Sequence, residues 1–387
     1  MKIADICEFY SPTGGGVRSY MHQKLVHAAR LGHDLTIIAP GTETRSEEMT
    51  GGRIAWVKSP VLPFDRNYRM FWRAGPVWKI LDQLQPDILE GSSPWRGGWL
   101  AARWPGRAPR VLFMHSDPVA SYPQNLLAGV LAPEHIDDLF GWFWSYLRRL
   151  NGAFDATVVT GDWLGQRLEG RGLKHIQSIP LGIDRRLFTP DRRDARVRRA
   201  MLAECGLDED AQLLIAVGRH HPEKRLGMLI EAVGRAQQQR RIGFIIVGDG
   251  LSRRSVEAAA ARARHVHVAG AIQDRETLAG MIASADALLH GCGSETFGMA
   301  VAEALCCGTP VIVPNTGGAA DLAACGGGVL YRTGDGKDAA KTILDLLEGD
   351  RDALSDSALA AAQTRISTVE QHFERLFAAY QALANSP

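Results

Sequence analysis

The chain carries few of the signals that mark secreted, membrane-spanning or metal-binding proteins. Its 387 residues include six cysteines, and no two of them form a C-x-x-C pair or another spacing typical of a metal site. No apolar run reaches the roughly 18 residues that a transmembrane helix needs. The first residues lead directly into a strand-like run, without the apolar segment of a signal peptide. We therefore expect a cytoplasmic protein with reduced cysteines.

A surplus of charge of one sign is also missing. With 44 Lys and Arg against 43 Asp and Glu, the net charge is +1, which gives no reason to expect nucleic acid as a partner. Two nucleotide-binding fingerprints are absent as well: G-x-G-x-x-G with an acidic residue about 20 positions later, and a glycine loop that ends in Gly-Lys-Ser/Thr. The first absence argues against an NAD-dependent oxidoreductase, which we keep as an alternative.

The sequence does contain a regular alternation of short apolar runs and longer helical patterns. This alternation predicts an α/β protein whose parallel sheets are covered by helices on both faces. Because the pattern restarts after Pro180, we expect two doubly wound, Rossmann-like domains that face a central cleft, with ligands at the carboxyl ends of the strands. The runs that predict strands are Ile3–Cys7, Leu35–Ala39, Ile54–Val57, Ile88–Glu90, Arg110–Met114, Ala156–Thr160, Leu213–Val217, Phe244–Val247, His265–Val268, Ala287–His290 and Pro310–Val313.

A glycine-rich segment, Ser11–Gly16, lies between the first strand and the first helical pattern. Glycines at such a point let the backbone approach a phosphate, and the following helix N-terminus favours negative charge. A plain tight turn explains the segment equally well.

Two cations follow a buried strand in the second half. Arg219 and Lys224 come after Leu213–Val217, so they emerge where ligands of such sheets bind. A guanidinium fork and a mobile ammonium five residues apart suit a diphosphate. A surface pair beside Glu223 is the alternative.

A third motif runs from Glu295 to Glu303, with a helix predicted to start near Gly298 and to stop near Gly308. If the span were fully helical, the two carboxylates would be about 12 Å apart, which is too far for the carboxylate pair of a glycosidase. The spacing favours two contacts on one long ligand, and the N–H groups of residues 297–300 could hold anionic oxygens. A capping acid plus a surface glutamate would give the same pattern.

Taken together, these motifs resemble the retaining family 4, or group 1, glycosyltransferases with the GT-B fold, over nearly the whole chain. The resemblance rests on the Glu-x7-Glu motif with Gly308–Ile312, on Val217–Lys224, on Ile246–Gly250 and on Pro180–Asp184. These motifs are specific for the family and not for a sugar or an acceptor. Arg225 departs from the glycine that the family commonly has at that position.

The resemblance implies catalytic roles for four residues. Arg219 and Lys224 would neutralise the leaving diphosphate, Glu295 would contact hydroxyls of the transferred sugar, and His115 would lie near that sugar. Cations fixed at a leaving group stabilise the charge that develops on it, so neither a metal nor another cofactor is expected.

The same resemblance implies how the donor would be held. Glu303 would accept hydrogen bonds from the ribose hydroxyls. The other expected donor-binding residues are Gly15 and Gly16 over the phosphates, Gly248 in its glycine-rich landmark, Ala271 and Ile272 at the base, and Phe297, Gly298 and Met299 at the helix start.

The family also implies a division of labour between domains. Residues 1–184 would form the acceptor domain, 185–365 the nucleotide-sugar domain, and 366–387 a helix that crosses back to the first domain. All nine tryptophans lie between Trp56 and Trp163, in the expected acceptor domain. The segments 63–69 and Ser93–Arg96 could shape an acceptor site there.

An aromatic segment, Phe140–Arg149, is not a landmark of the family. It could be an interfacial helix with an arginine edge that contacts a membrane surface, or it could simply pack in the core.

We therefore expect a hexosyltransferase that uses a nucleotide diphosphate sugar and a lipid or glycan acceptor, in polysaccharide or glycolipid biosynthesis. A UDP-sugar is favoured as donor and GDP-mannose comes next. A nucleotide-sugar-binding protein without catalysis remains an alternative.

Overall fold

Two mainly parallel sheets form the framework of the chain in a computed structural model that describes residues 1–10, 16–62, 65–120, 123 and 133–385. The N-terminal strands within these residues are β1 (Lys2–Ile6), β2 (Asp34–Gly41), β3 (Arg45–Met49), β4 (Gly52–Lys58), β5 (Val61–Leu62), β6 (Asp65–Arg69), β7 (Ile88–Gly91), β8 (Arg110–Met114), β9 (Ala156–Val159) and β10 (Ile176–Ser178). Eight of them form one sheet in the order β10-β9-β8-β7-β1-β2-β4-β3, while β5 and β6 pair separately.

Helices cover both faces of this first sheet. Those within the described residues are α1 (Gly16–Arg30), α2 (Ala74–Leu84), α3 (Arg96–Arg103), α4 (Pro133–Leu139), α5 (Gly141–Asn151) and α6 (Asp162–Gly170). Strand β1 is central because its apolar side chains are buried on both sides: Ile3 packs in one apolar cluster and Ile6 in another. Such burial on both faces is typical of a parallel strand.

The second sheet has six strands in the order β14-β13-β12-β15-β16-β17. The strands of the C-terminal half are β11 (Gly182–Ile183), β12 (Gln212–Val217), β13 (Ile242–Val247), β14 (Val266–Gly270), β15 (Ala287–Leu289), β16 (Val311–Pro314), β17 (Gly328–Tyr331) and β18 (Ser367–Thr368). Its helices are α7 (Ala195–Glu204), α8 (Leu226–Ala236), α9 (Arg253–Ala260), α10 (Arg275–Ser284), α11 (Met299–Cys306), α12 (Gly318–Ala323), α13 (Gly336–Glu348), α14 (Arg351–Arg365) and α15 (Val369–Ala384).

These sheets confirm the predicted fold class. All eleven apolar runs that predicted strands coincide with strands of the two sheets. The strands that the sequence did not indicate are short or lie at edges, as β3 and β17 do. Strand β3 is the one antiparallel member of the first sheet, and its side chains are largely exposed. An exposed edge strand lacks the apolar run on which such a prediction depends.

The last helix, α15, returns to the first sheet. A capping box starts it, in which Thr368 and Gln371 each satisfy the other's backbone N–H. Its apolar side chains Phe373, Phe377 and Tyr380 are buried in the same cluster as Ile3. The boundaries at residues 184 and 365 remain a prediction.

No helix among the described residues is long and apolar enough to cross a membrane.

Candidate active site

Lys224 and Glu295, which are 71 positions apart in sequence, form an ion pair at one edge of the second sheet. Lys224 ends a short 3-10 turn that follows β12, and Glu295 lies in the loop after β15. Strands β12 and β15 are hydrogen-bonded parallel neighbours, so the loops that follow them meet at the same edge. The structure thereby joins two of the four residues expected to be catalytic.

Each member of this pair favours the charged form of the other. Burial alone would raise the pKa of the Glu295 carboxyl, but Lys224 and His290 offset this effect and hold that pKa well below its usual range. Burial opposes the charge on Lys224 as well, yet Glu295 raises the pKa of the ammonium above its usual value. The side chains of Lys224 and Glu295 are 16% and 22% exposed, so both charges remain accessible to a ligand.

Arg219 lies five positions before Lys224 in the same loop and is largely unengaged. Its side chain is 75% exposed, and its nearest carboxylate partner, Glu223, is 3.8 Å away. The backbone before it is tightly packed, because a Cβ on Gly248 would come within 1.8 Å of the Gly218 carbonyl oxygen. Gly248 therefore serves close backbone packing at the ends of β12 and β13.

Helix α11 begins next to Glu295. Gly298 precedes it with φ of 98°, a conformation that favours glycine. Phe297 is buried and anchors the turn in the core, whereas Met299 is 40% exposed at the first helical position. The free N–H groups of this helix start are thus carried by a rigid turn.

Glu303, on α11, is buried and holds one partner among the described residues. Nη2 of Arg275 donates to its Oε1 at 2.7 Å. Burial raises the pKa of Glu303, and Arg275 partly offsets this effect. Arg275 starts α10 and lies over the ring of Phe188, 4.9 Å from its centroid.

His115 follows β8 in the first domain and is brought to the Glu295 loop. Its carbonyl oxygen accepts a hydrogen bond of 3.1 Å from the Thr296 hydroxyl. Burial lowers the pKa of the His115 imidazole to about 4, so the ring is neutral at pH 7. Its Nε2 is buried without a hydrogen-bond partner among the described residues, and the ring packs against Tyr20 and Phe113.

A second contact between the domains lies nearby. The backbone N–H of Trp163, in the first turn of α6, donates to Asp321 at 2.7 Å. Asp321 belongs to α12 of the second domain. The contacts made by Thr296 and Asp321 hold the two strand edges facing each other across the cleft.

Three of the remaining predicted donor residues, Gly16, Ala271 and Ile272, belong to the described part of the chain. Gly16 is exposed at the start of α1, and Gly15 lies outside the described residues. Ala271 is exposed and Ile272 half-buried directly after β14. This position is at the carboxyl edge of the second sheet, and the roles of these residues remain predictions.

Sequence reasoning missed Arg275, His290, Thr296 and Asp321. Nε2 of His290 is 3.4 Å from Oε2 of Glu295, and His290 directly follows β15. Its place after a strand was a usable signal, because that is the rule that identified Arg219 and Lys224. The hydrogen bonds of Thr296 and Asp321 to the other domain carry no local signal.

One group of side chains could offer ligands to a metal. His290, Cys292 and Glu295 each place one ligand atom within 4.8 Å of the others. Burial raises the pKa of the Cys292 thiol to about 11, and Lys224 already supplies a cation to Glu295. This set therefore fits a metal poorly in the arrangement that the structure describes.

Comparisons with known proteins identify the family and the fold. The family model described as Glycosyltransferase Family 4 matches residues 14–187, and the model described as Glycosyl transferases group 1 matches residues 197–363. A solved sucrose-phosphate synthase from Thermosynechococcus elongatus superposes with a TM-score of 0.79 at 20% identity, over 99% of this chain and 98% of that one. This likeness confirms the GT-B fold.

Two curated relatives are mannosyltransferases. The chain is 29% identical to the GDP-mannose-dependent alpha-(1-6)-phosphatidylinositol dimannoside mannosyltransferase of Mycobacterium tuberculosis, over 82% of this chain and 80% of that protein. It is 28% identical to the GDP-mannose-dependent alpha-mannosyltransferase of Mycolicibacterium smegmatis, over 85% of this chain and 84% of that protein.

Proposed function

Because the chain belongs to the family 4, group 1 glycosyltransferases and moves a sugar from a nucleotide sugar, we propose that it is a retaining mannosyltransferase that uses GDP-mannose. The proposed acceptor is a mannosylated lipid at a membrane surface. The observation that carries the transferase part is the Lys224–Glu295 pair at the edge of the second sheet, whose neighbour Thr296 contacts the His115 backbone from the facing edge of the first sheet.

The choice of donor rests on the relatives. Both mannosyltransferases named above are GDP-mannose-dependent by name and align with more than four-fifths of this chain. The uridine donor that we expected rested only on how common such donors are. GDP-mannose is therefore the donor to test first.

The site suits the charge changes of glycosyl transfer. Breaking the bond between sugar and phosphate leaves positive charge on the sugar and negative charge on the diphosphate. Arg219 and Lys224 stabilise the diphosphate, and the ionised Glu295 faces hydroxyls of the sugar. Retention follows if the acceptor hydroxyl enters on the face that the diphosphate leaves, beside the neutral His115.

Thermal unfolding with GDP, UDP, ADP and NAD, each in separate large excess, tests the donor. A ligand at about 100 times its Kd adds about 2.7 kcal/mol of stability, which corresponds to several degrees for a protein of this size. We expect the melting temperature to rise with GDP. A rise with UDP alone would replace the donor, and a rise with NAD alone would contradict the transferase assignment.

The stereochemistry needs its own experiment. Proton NMR of the first product formed from GDP-α-mannose should show an α-linked mannose, because retention keeps the anomeric configuration. A β-linked product would contradict the retaining mechanism and leave the donor assignment intact.

Contact with a lipid surface is supported by an aromatic face of the first domain, formed by the exposed Trp72, Trp95, Leu139 and Trp142 around the buried Phe143. Trp72, Trp142 and Leu139 are 67%, 67% and 63% exposed. The rings of Trp95 and Trp142 both lie within 6 Å of the Phe143 ring. A guanidinium nitrogen of Arg96 donates to the Trp72 carbonyl at 3.1 Å, which adds a cation to this face.

Exposed aromatic rings edged by arginines suit the interface of an anionic bilayer. Leu139→Ala should weaken co-sedimentation with anionic phosphatidylinositol vesicles, because it removes apolar surface from the aromatic face. The matched control is Leu251→Ala, a leucine that is 89% exposed in the second domain. Equal effects of the two variants would remove this face from the proposal.

A further inference from the structure

The first domain contains a cavity that none of the proposed donor-site residues line. Its volume is about 110 Å³, and its walls include Tyr10, Glu43, Arg45, Trp56 and Arg69. A buried water needs roughly 10–15 Å³ of such volume, so the cavity has room for about seven to eleven water-sized groups. This is comparable to one small polar ring.

The cavity lies on the ligand-binding edge of the first sheet. Tyr10 follows β1, Glu43 follows β2, and Trp56 is near the end of β4. His115 follows β8 at the same edge. In the sheet order β8-β7-β1-β2, three strand spacings separate the ends of β8 and β2, which amounts to about 14 Å.

The walls combine flat apolar rings with paired charges. The rings of Tyr10 and Trp56 meet edge to face at 5.5 Å. Arg45 lies over Trp56, 5.6 Å from the ring centroid, and forms ion pairs with Glu43 at 3.3 Å and with Glu47 at 2.7 Å. Arg69 donates one guanidinium N–H to the Ser59 carbonyl at 2.7 Å.

This chemistry suits a polyol. Arg45 pairs with Glu43 and Glu47, Arg69 donates to the Ser59 carbonyl, and Arg18 interacts with the Tyr10 hydroxyl, so the opening offers both hydrogen-bond donors and acceptors. Hydroxyl groups both donate and accept. Carboxylate oxygens and guanidinium N–H groups at one opening can therefore satisfy them, while a ring packs on the aromatic wall.

Chain connectivity places the cavity near the aromatic face. Trp72 follows Arg69 by three residues, and three residues span at most about 10–11 Å. An acceptor anchored at a lipid surface near Trp72 could thus reach the cavity with its glycan.

We propose that this cavity binds one pyranose ring of the acceptor glycan, at a distance from the hydroxyl that attacks the donor. The proposal rests on the proposed function, in which the acceptor is a mannosylated lipid. It extends that function by predicting that the enzyme recognises at least one sugar ring besides the one it modifies.

The test measures binding without catalysis. Saturation-transfer NMR on the full chain compares α-1,6-mannotriose with methyl α-mannoside, in the wild type and in Glu43→Ala and Arg69→Ala. The Glu43 side chain is 68% exposed, so its removal leaves the core intact. The matched control is Glu48→Ala, an exposed carboxylate on β3 that does not line the cavity.

We expect Glu43→Ala and Arg69→Ala each to weaken mannotriose binding at least about tenfold, because each loses a charged hydrogen-bond partner. Glu48→Ala should bind mannotriose like the wild type, and methyl α-mannoside, which is a single pyranose ring, should bind more weakly and lose affinity in the same two cavity variants. Absence of mannotriose binding by the wild type, or unchanged binding in both cavity variants, would overturn the proposal. If GDP-mannose is not the donor, this would appear in a separate experiment, as a missing response to GDP in thermal unfolding.

Discussion

Two lysines, Lys24 and Lys224, illustrate how the two domains use charge. Lys24 of the first domain is fully buried and contacts two buried carboxylates, Asp5 at 2.7 Å and Glu90. Lys224 of the second domain is 16% exposed and pairs, within the described part of the chain, with one carboxylate, that of Glu295, which is itself 22% exposed. The same side chain is thus enclosed in one domain and open to the cleft in the other.

The partners around Lys24 form a closed network. The Ser92 hydroxyl lies 2.7 Å from Asp5 and 2.9 Å from Glu90, and the Tyr380 hydroxyl donates to Glu90. Burial and the nearby Glu90 raise the pKa of Asp5 to about 6. This network ties α1, β1 and β7 to α15, so its charges serve the fold.

The charges around Lys224 are arranged differently. Arg219 is largely exposed, and Glu303 has a single partner among the described residues. Such groups keep hydrogen-bonding capacity for a ligand. A buried charge with complete partners therefore indicates structure, and a partly exposed charge with spare capacity indicates a binding site.

The largest expected effect is the loss of stability when Lys24 is replaced, which tests the structural role of its network. Lys24→Met leaves two carboxylates buried without their cation, so the free energy of unfolding should fall by about 3–5 kcal/mol. Urea denaturation measures this change. Lys341→Met, at an exposed position on α13, is the control and should leave stability unchanged. A loss below about 1 kcal/mol would mean that the Lys24 network does not stabilise the fold.

The counterpart at the cleft is Lys224→Met. The proposed function has Lys224 meet the developing diphosphate charge, so its removal should lower kcat by roughly 10²–10³-fold, while the free energy of unfolding should fall less than in Lys24→Met, because Glu295 is partly exposed and keeps His290 as a neighbour. Steady-state kinetics with GDP-mannose, beside the same Lys341→Met control, provides the measurement. A large drop in melting temperature with unaltered kcat would assign Lys224 to the fold instead.

A third expected effect depends on pH and on His372 in α15. Its Nδ1 lies 2.8 Å from the Pro180 carbonyl, its Nε2 lies 3.0 Å from the Tyr20 hydroxyl, and burial lowers its pKa to about 4. The folded state therefore binds fewer protons than the unfolded state between about pH 4 and the unfolded pKa near 6.5. Stability is present above pH 6.5 and is lost as the pH falls, by up to about 3 kcal/mol for this residue.

His372→Gln should reduce the loss of stability at acidic pH, as measured by urea denaturation at a series of pH values. His135→Gln, which changes an exposed histidine on α4, should preserve it. An equal loss of stability at acidic pH in the wild type and both variants would mean that His372 has the same pKa in the folded and the unfolded state.

The smallest expected effect concerns Arg275. Arg275→Met removes the partner of Glu303, so the pKa of this buried carboxyl should rise further, and the hold on the donor ribose that we propose for Glu303 should weaken. We expect the KM for the donor to increase about tenfold, which corresponds to 1.4 kcal/mol, with kcat little changed. The increase should shrink as the pH rises, because higher pH restores the ionised carboxyl.

Arg240→Met is the matched control, since Arg240 forms a 3.0 Å ion pair with Glu348 at the surface. Arg275→Lys should recover part of the affinity. A pH-independent KM in Arg275→Met would show that Arg275 acts on the donor without changing the ionisation of Glu303.

The sequence predicted the parts of this protein that carry a local signal. Apolar runs predicted the strands of both sheets except β3, β10 and β17, and charged residues after such runs indicated Arg219 and Lys224. The Lys24 network gave no such signal, because Asp5, Lys24 and Glu90 are single polar residues within apolar patterns. Their pairing depends on β1, β7 and α1 being neighbours, which no short stretch of sequence specifies.

The sequence by itself therefore determined the strand and helix succession, the doubly wound class and the identity of the cleft charges. Hydrophobic periodicity and position after a strand are properties of a few consecutive residues. Only the tertiary structure decided that Arg275 meets Glu303, that Thr296 reaches the backbone of His115, and that the cavity beside Tyr10 exists. Each of these depends on distances between segments far apart in the chain, and those distances are set by strand order and domain packing.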